Sequence, residues 1–255
     1  MENFSRRQLE MITTRNLDNE ASEYQKGAKT SFENELILNW YPKRILERMQ
    51  PGLDILELGI GHGYTPIWFS EHAKRHVVID GSQVVIDRFK QNHPEYKGEI
   101  VYSYFENYES TEEFDYIVMG FVLEHVDDPG LILKKFRDRL KPGGKLYAAV
   151  PNGKSLNRRL GLAMGMIDDL YSLNQNDIAL GHKRQYCVNT FEQEIEQAGF
   201  SVKHVEGIYL KPFPLHILQG IEDADKNFQA LLEVGIDFPD LSVAVLVEAE
   251  AVTDR

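Results

Sequence analysis

From residue 53 onward the chain alternates short apolar runs with amphipathic stretches: LDILELGI, TPIWFSEHAK, HVVID, SQVVIDRFKQN, EIVYSYF, FDYIVMGF, DPGLILKKFRDRL and KLYAAVP. A strand buried on both faces needs only roughly four to eight apolar residues, and the intervening stretches carry helical spacing. Strands separated by helices in this way pair in parallel, since a parallel pair needs a long crossover between its members. A last unit follows, with TFEQEIEQAGF as helix, SVKHVEGIYL as strand and SVAVLVEAEA as the final strand, which brings the expected strands to seven. Lys141-Pro-Gly-Gly144 reads as a turn between a helix ending near Leu140 and the strand of KLYAAVP.

The chain reads as one α/β domain over residues 1–255. Residues 1–50 look like a helical cap closed by Pro51-Gly52, 51–151 like the core, and 152–190 and 211–240 like lid insertions above the sheet. With 255 residues and 42% hydrophobic content it has enough material for a full core. A formal charge of −12 opposes nonspecific attraction to nucleic acid or to an anionic bilayer. A single cysteine, Cys187, allows neither an internal disulfide nor a cysteine cluster for zinc, and fits a reducing compartment. No segment approaches the roughly 20 apolar residues of a membrane span, and the N-terminal segment lacks a signal-peptide core. A cytoplasmic protein without membrane or nucleic-acid partners is expected, as a monomer or a homodimer.

The first strand runs into ILELGIGHGYTPIWF, with Glu57 followed by Gly59, Gly61 and Gly63. Glycines tolerate positive φ and bring backbone close to a ligand. A dinucleotide fingerprint spaces its glycines G-x-G-x-x-G; here the spacing is E-x-G-x-G-x-G, and a carboxylate in that place would repel a pyrophosphate. An acidic residue at the turn suits the amino group of a methionine moiety, which favours S-adenosylmethionine (SAM) over NAD. HVVID then ends in Asp80, at a strand end where a carboxylate accepts hydrogen bonds from both hydroxyls of a ribose.

Residues 53–150 resemble the core of the class I SAM-dependent methyltransferases. FDYIVMGFVLEHVDDPGLILKKFRDRLKPGGKLYAAVPN is similar to the subgroup that includes ubiquinone-biosynthesis O-methyltransferases and many small-molecule methyltransferases. The resemblance extends more weakly through GHKRQYCVNTFEQEIEQAGF. It implies a Rossmann-like, seven-stranded, mostly parallel sheet with helices on both faces and the last strand antiparallel. It implies SAM as cofactor and S-adenosylhomocysteine as product. Carried over by position, Glu57 and the glycine turn would hold the methionine end, Asp80 the ribose, and Gly81 with Ser82 the adenine edge. Where family members often have an aspartate for the adenine amino group, this chain has SYFENYE, leaving Phe105 and Glu106 as alternatives. Gly120 and Phe121 fall where the family lines the sulfonium. Tyr24 is a candidate because related enzymes close an N-terminal tyrosine over the cofactor, and it could touch the acceptor as well.

Methyl transfer from a sulfonium is an in-line displacement, so a general base is optional. Where one acts on a hydroxyl or an amine, histidine suits it. His182 in GHKRQY and His125 in LEHV are the two candidates, against the plainer readings of a helix cap and a packing residue. His62 reads as an exposed loop residue. Cations at the strand ends would suit a carboxylate or phosphate on the acceptor: Asn152, Arg158, Arg184 and Lys211 are the substrate-side candidates, with Arg158 and Arg184 favoured for bidentate capture. No metal centre is expected, because Glu124, Asp127 and Asp128 lack a histidine at ligand spacing beyond the motif itself, and aspartates there suit helix caps.

These readings point to a SAM-dependent methyltransferase acting on O or N of a small anionic or polar metabolite. A noncatalytic methyltransferase-like binding module and an NAD-dependent oxidoreductase are the alternatives.

Overall fold

The central apolar runs become strands because both of their faces meet a helical layer, whereas the edge strand Glu99–Tyr102 stays partly exposed. β1 (Asp54–Leu58) and β2 (Arg75–Asp80) pair in parallel, with Leu56 beside Val77 and Leu58 beside Ile79. β3 (Glu99–Tyr102), β4 (Phe114–Gly120), β5 (Leu140–Pro151), β6 (Phe200–Ile208) and β7 (Ala244–Ala251) complete a seven-stranded sheet in the order β3-β2-β1-β4-β5-β7-β6. β7 lies antiparallel between β5 and β6; the pairings among β1 to β5 are parallel. The computed structural model describes residues 17–19, 21 and 31–252.

Side-chain alternation along the strands sorts the core into two layers. Leu56, Leu58, Val77 and Ile79 pack with Ile132 and Phe136 of α4 (Pro129–Arg137) and with Phe191 and Ile195 of α7 (Val188–Gln197). On the opposite face Ile55 packs with Trp40, Tyr41 and Ile45 of α1 (Ser31–Leu46) and Phe69 of α2 (Thr65–His72). Phe228 and Leu232 of α9 (Ala224–Gly235) belong to that layer too, and Val78 meets Ile86 and Phe89 of α3 (Gln83–Asn92). Arg44 of α1 clamps the buried Glu206 of β6 with Nε and Nη2 at 2.9 and 3.1 Å from the two carboxylate oxygens, which fixes α1 across the sheet.

One local expectation needs correction. α4 ends at Arg137, and Lys141-Pro-Gly-Gly144 is an irregular opening of β5 whose register to β4 shifts between Phe114 and Tyr116. The lid segments mix loop and helix, with α5 (Leu156–Ala163) and α6 (Gln175–Ala179) in the first and α8 (Leu215–Gln219) and α9 in the second. Among the described residues no helix is long and apolar enough to cross a membrane.

Candidate active site

The strand order reverses between β1 and β4, and a reversal of this kind opens a crevice at the carboxyl ends of the strands. A cavity of about 410 Å³ occupies that place here. One end is walled by Gly59, Ile60, Gly61, Asp80, Gly81, Ser82, Val85 and Phe105, and the other by Glu124, His125, Asp177, Leu180 and His182. Gly120 and Phe121 lie in the wall as well, roofed by Tyr41 of α1.

The glycine turn has the backbone it was expected to need. Gly59, Gly61 and Gly63 have φ of +86°, +53° and +83°, values an L side chain adopts only under strain. The amide of Ile60 in this turn donates to Asp80 Oδ2 at 2.8 Å, and the amide of Ser82 donates to Asp80 Oδ1 at 2.8 Å. Burial pushes the Asp80 carboxyl above its ordinary range, against the pull of these two amides. Ser82 caps α3 and donates its hydroxyl to Asp18 at 2.6 Å, which ties the β2 end to residue 18 where it meets the cavity.

Several candidates stand elsewhere. Glu57 lies behind the turn, because its side chain points to the α2 face of β1: its carboxylate accepts from the Thr65 hydroxyl and lies 3.2 Å from His76 Nε2. Gly63 packs against Phe89. Phe105 is in the wall, whereas the Glu106 contact seen is its backbone carbonyl accepting from Lys135 at 2.7 Å. Tyr24 lies outside the described residues.

The proposed anion clamps are structural cations and amides. Arg184 donates to the carbonyls of Leu123, Val126 and Asp127 at 2.7, 2.5 and 3.0 Å, and Arg158 to those of Leu170 and Ser172 at 3.0 and 2.6 Å. Asn152 is buried and donates to the carbonyls of Pro239 and Ser242 at 3.1 and 2.9 Å; Lys211 pairs with Glu33 at 2.5 Å. Orphan carbonyls of irregular segments need donors, and these side chains supply them. None of the four is in the cavity wall among the described residues.

His182 and His125, by contrast, meet edge to face with ring centroids 4.7 Å apart, and both are in the wall. Beside them lies Glu124, with 0% exposure; burial pushes its carboxyl up to about 7 against the pull of His182 and Arg184. His62 is also a wall residue rather than an exposed loop position: burial lowers its imidazole to about 4, and Asn34 Nδ2 stands 3.3 Å from its Nε2. The α1 residues Asn34, Ile37, Leu38 and Tyr41 also line the wall and carried no sequence signal beyond helical periodicity. Asp128 caps α4 through the Leu131 amide at 2.9 Å, as a capping aspartate should.

A family model described as a methyltransferase domain matches residues 31–205, and the chain belongs to that family. The ubiquinone biosynthesis O-methyltransferase of Parvibaculum lavamentivorans is 32% identical over 124 residues, which span 48% of this chain and 47% of that relative. The chain therefore matches about half the length of this curated relative. Among solved structures, a chain of the complex between the Haloferax volcanii Trm112 methyltransferase activator and a methyltransferase superposes with a TM-score of 0.64 at 17% identity, over 94% of this chain and 100% of its own. A SAM-dependent methyltransferase from Mesorhizobium loti gives 0.59 at 20% identity, covering 83% and 97% of the two chains. The N-methyltransferase NodS from Bradyrhizobium japonicum, solved with S-adenosylhomocysteine, gives 0.53 at 16% identity, covering 88% and 89%. At these identities the structures show the shared fold.

Proposed function

We propose that the chain methylates an oxygen or nitrogen of a small polar metabolite seated at the end of the cavity walled by Glu124, His125, Leu180 and His182. The observation that carries this reading is the continuity of one cavity from Asp80, past Gly120 and Phe121, to the two histidines. The residues present fit SAM: a glycine turn with positive φ offers backbone without side chains, and a buried carboxylate at the β2 end has lone pairs left for hydroxyl donors. In this reading Asp80 accepts from the ribose, Gly81, Ser82 and Phe105 border the adenine, the Gly59–Gly61 backbone borders the methionine part, and Gly120 with Phe121 borders the sulfonium. Bound SAM supplies a methyl carbon made electrophilic by its sulfonium.

What the chain adds is placement and exclusion of water. Phe121 is held at φ +58°, an unusual conformation for a bulky residue, and its ring meets Tyr41 edge-on at 5.5 Å. That contact carries α1 over the middle of the cavity. The cations expected to clamp an anionic acceptor are engaged with backbone or with Glu33, so the reading keeps a polar acceptor and drops the clamp.

Calorimetry with S-adenosylhomocysteine, followed by label transfer from methyl-labelled SAM to a panel of small alcohols, phenols and amines, tests the proposal. Saturable nucleoside binding with transfer to at least one acceptor is expected. Failure to bind the nucleoside would sink the cofactor assignment; binding with no transfer to any acceptor would favour a noncatalytic binding module.

A further inference from the structure

We propose that Glu124, His125 and His182 form a divalent metal site at the acceptor end of the cavity, with an open position for the acceptor's oxygen. One candidate ligand atom from each residue lies within 4.8 Å of those of the other two. Three ligand atoms in a tetrahedral array with metal bonds of roughly 2.0–2.2 Å stand about 3.4 Å apart, so closing the set takes side-chain shifts of up to about 1.4 Å.

The observation that points to a cation is Glu124. It sits on the loop after β4 with 0% exposure, in the cavity wall, and among the described residues neither of its side-chain oxygens has a hydrogen-bond partner. Burying a carboxyl group with both oxygens unsatisfied is costly in either protonation state: the anion accepts from no donor, His125 Nε2 standing 4.0 Å from Oε1, and the neutral acid still lacks partners for its O–H and C=O. A bound cation answers both needs. Arg184, the nearby fixed charge, is turned to the carbonyls of Leu123, Val126 and Asp127 instead.

The surroundings of His182 fit a ligand imidazole. Its side chain is 9% exposed, and its Nδ1 lies 3.4 Å from Asp177 Oδ1. Asp177 is itself held through Oδ2 by the Asn174 amide at 2.9 Å and by Gln185 Nε2 at 3.0 Å. A carboxylate behind an imidazole is the arrangement that orients histidine ligands and fixes their tautomer. Two imidazoles and one carboxylate favour zinc, manganese, cobalt or iron over magnesium or calcium, which prefer oxygen donors. Three protein ligands leave a position open, as catalytic sites do.

The inference rests on the acceptor being seated at this end of the cavity, and deepens that reading by favouring acceptors with an ionisable hydroxyl. On coordination the acceptor's O–H bond breaks, its proton passes to water, and the oxygen keeps the electron pair as a metal-bound alkoxide or phenolate. His125 and His182 then act as ligands, and neither has to take the proton.

The test is titration of the chelator-treated full-length chain with Co²⁺, followed by visible absorption, with calorimetric S-adenosylhomocysteine binding in parallel. One Co²⁺ per chain with ligand-field bands is expected. Glu124→Gln and His182→Ala should each weaken Co²⁺ binding by about tenfold or more, while nucleoside affinity stays within about twofold of wild type. No saturable Co²⁺ spectrum in the wild-type chain would overturn the site, as would unchanged Co²⁺ affinity in a variant that still binds the nucleoside. Co²⁺ binding without nucleoside binding would leave the metal site standing and sink the cofactor assignment.

Discussion

The hydroxyl of Tyr41 stands 2.1 Å from where a Cβ on Gly120 would lie. α1 thus reaches the end of β4 only because that residue has no side chain. Gly120→Ala forces the buried Tyr41 ring off its site, and overpacking of this kind costs about 1–3 kcal/mol. Tyr41→Leu in the same background should recover part of the loss. Urea denaturation of the three chains reads both effects; equal stability of Gly120→Ala and wild type would show that α1 moves freely.

Asp80→Ala removes the acceptor of two amides as well as the proposed ribose partner. Charge-assisted hydrogen bonds of about 1.5–3 kcal/mol predict a loss of about tenfold or more in S-adenosylhomocysteine affinity. Calorimetry measures it, and undiminished affinity would remove Asp80 from the cofactor site.

Arg184 ties the loop carbonyls of Leu123, Val126 and Asp127 to the end of the 152–190 lid segment. Arg184→Ala should cost about 2–4 kcal/mol of stability, since it leaves part-buried carbonyls without donors. Arg184→Lys restores only part, because a single ammonium does not span three acceptors. A direct role in acceptor binding would instead raise KM with stability unchanged.

His62, lowered by burial from 6.5 to about 4, links acid to stability. Its folded value lies below its unfolded value, so the unfolded chain binds the extra proton between them. The stabilisation is full above about pH 6.5 and is lost as pH falls through about 4. Compared with His62→Asn, wild type should lose stability over that window; parallel curves would show that His62 titrates normally.

The sheet, its parallel strands and the glycine turn were legible along the chain because each rests on neighbours in sequence. LDILELGI and HVVID carry the apolar runs of buried strands, and the glycines fall where the turn takes positive φ. The lid was legible only as a region without strand signal, and the KPGG stretch misled because turn residues also open an irregular strand. Charge at a strand end did not reveal its target: Arg158 and Arg184 had the right chemistry for an anion, but unsatisfied backbone carbonyls stood nearer. His62 looked like a loop residue until α1 closed over it. The sequence alone determined which layers form and which turn faces the crevice, since periodicity and turn chemistry act over a few residues. Only the tertiary structure decided that His182 meets His125 beside a buried Glu124, because that meeting depends on how a lid with no repeating pattern folds across the β4 end.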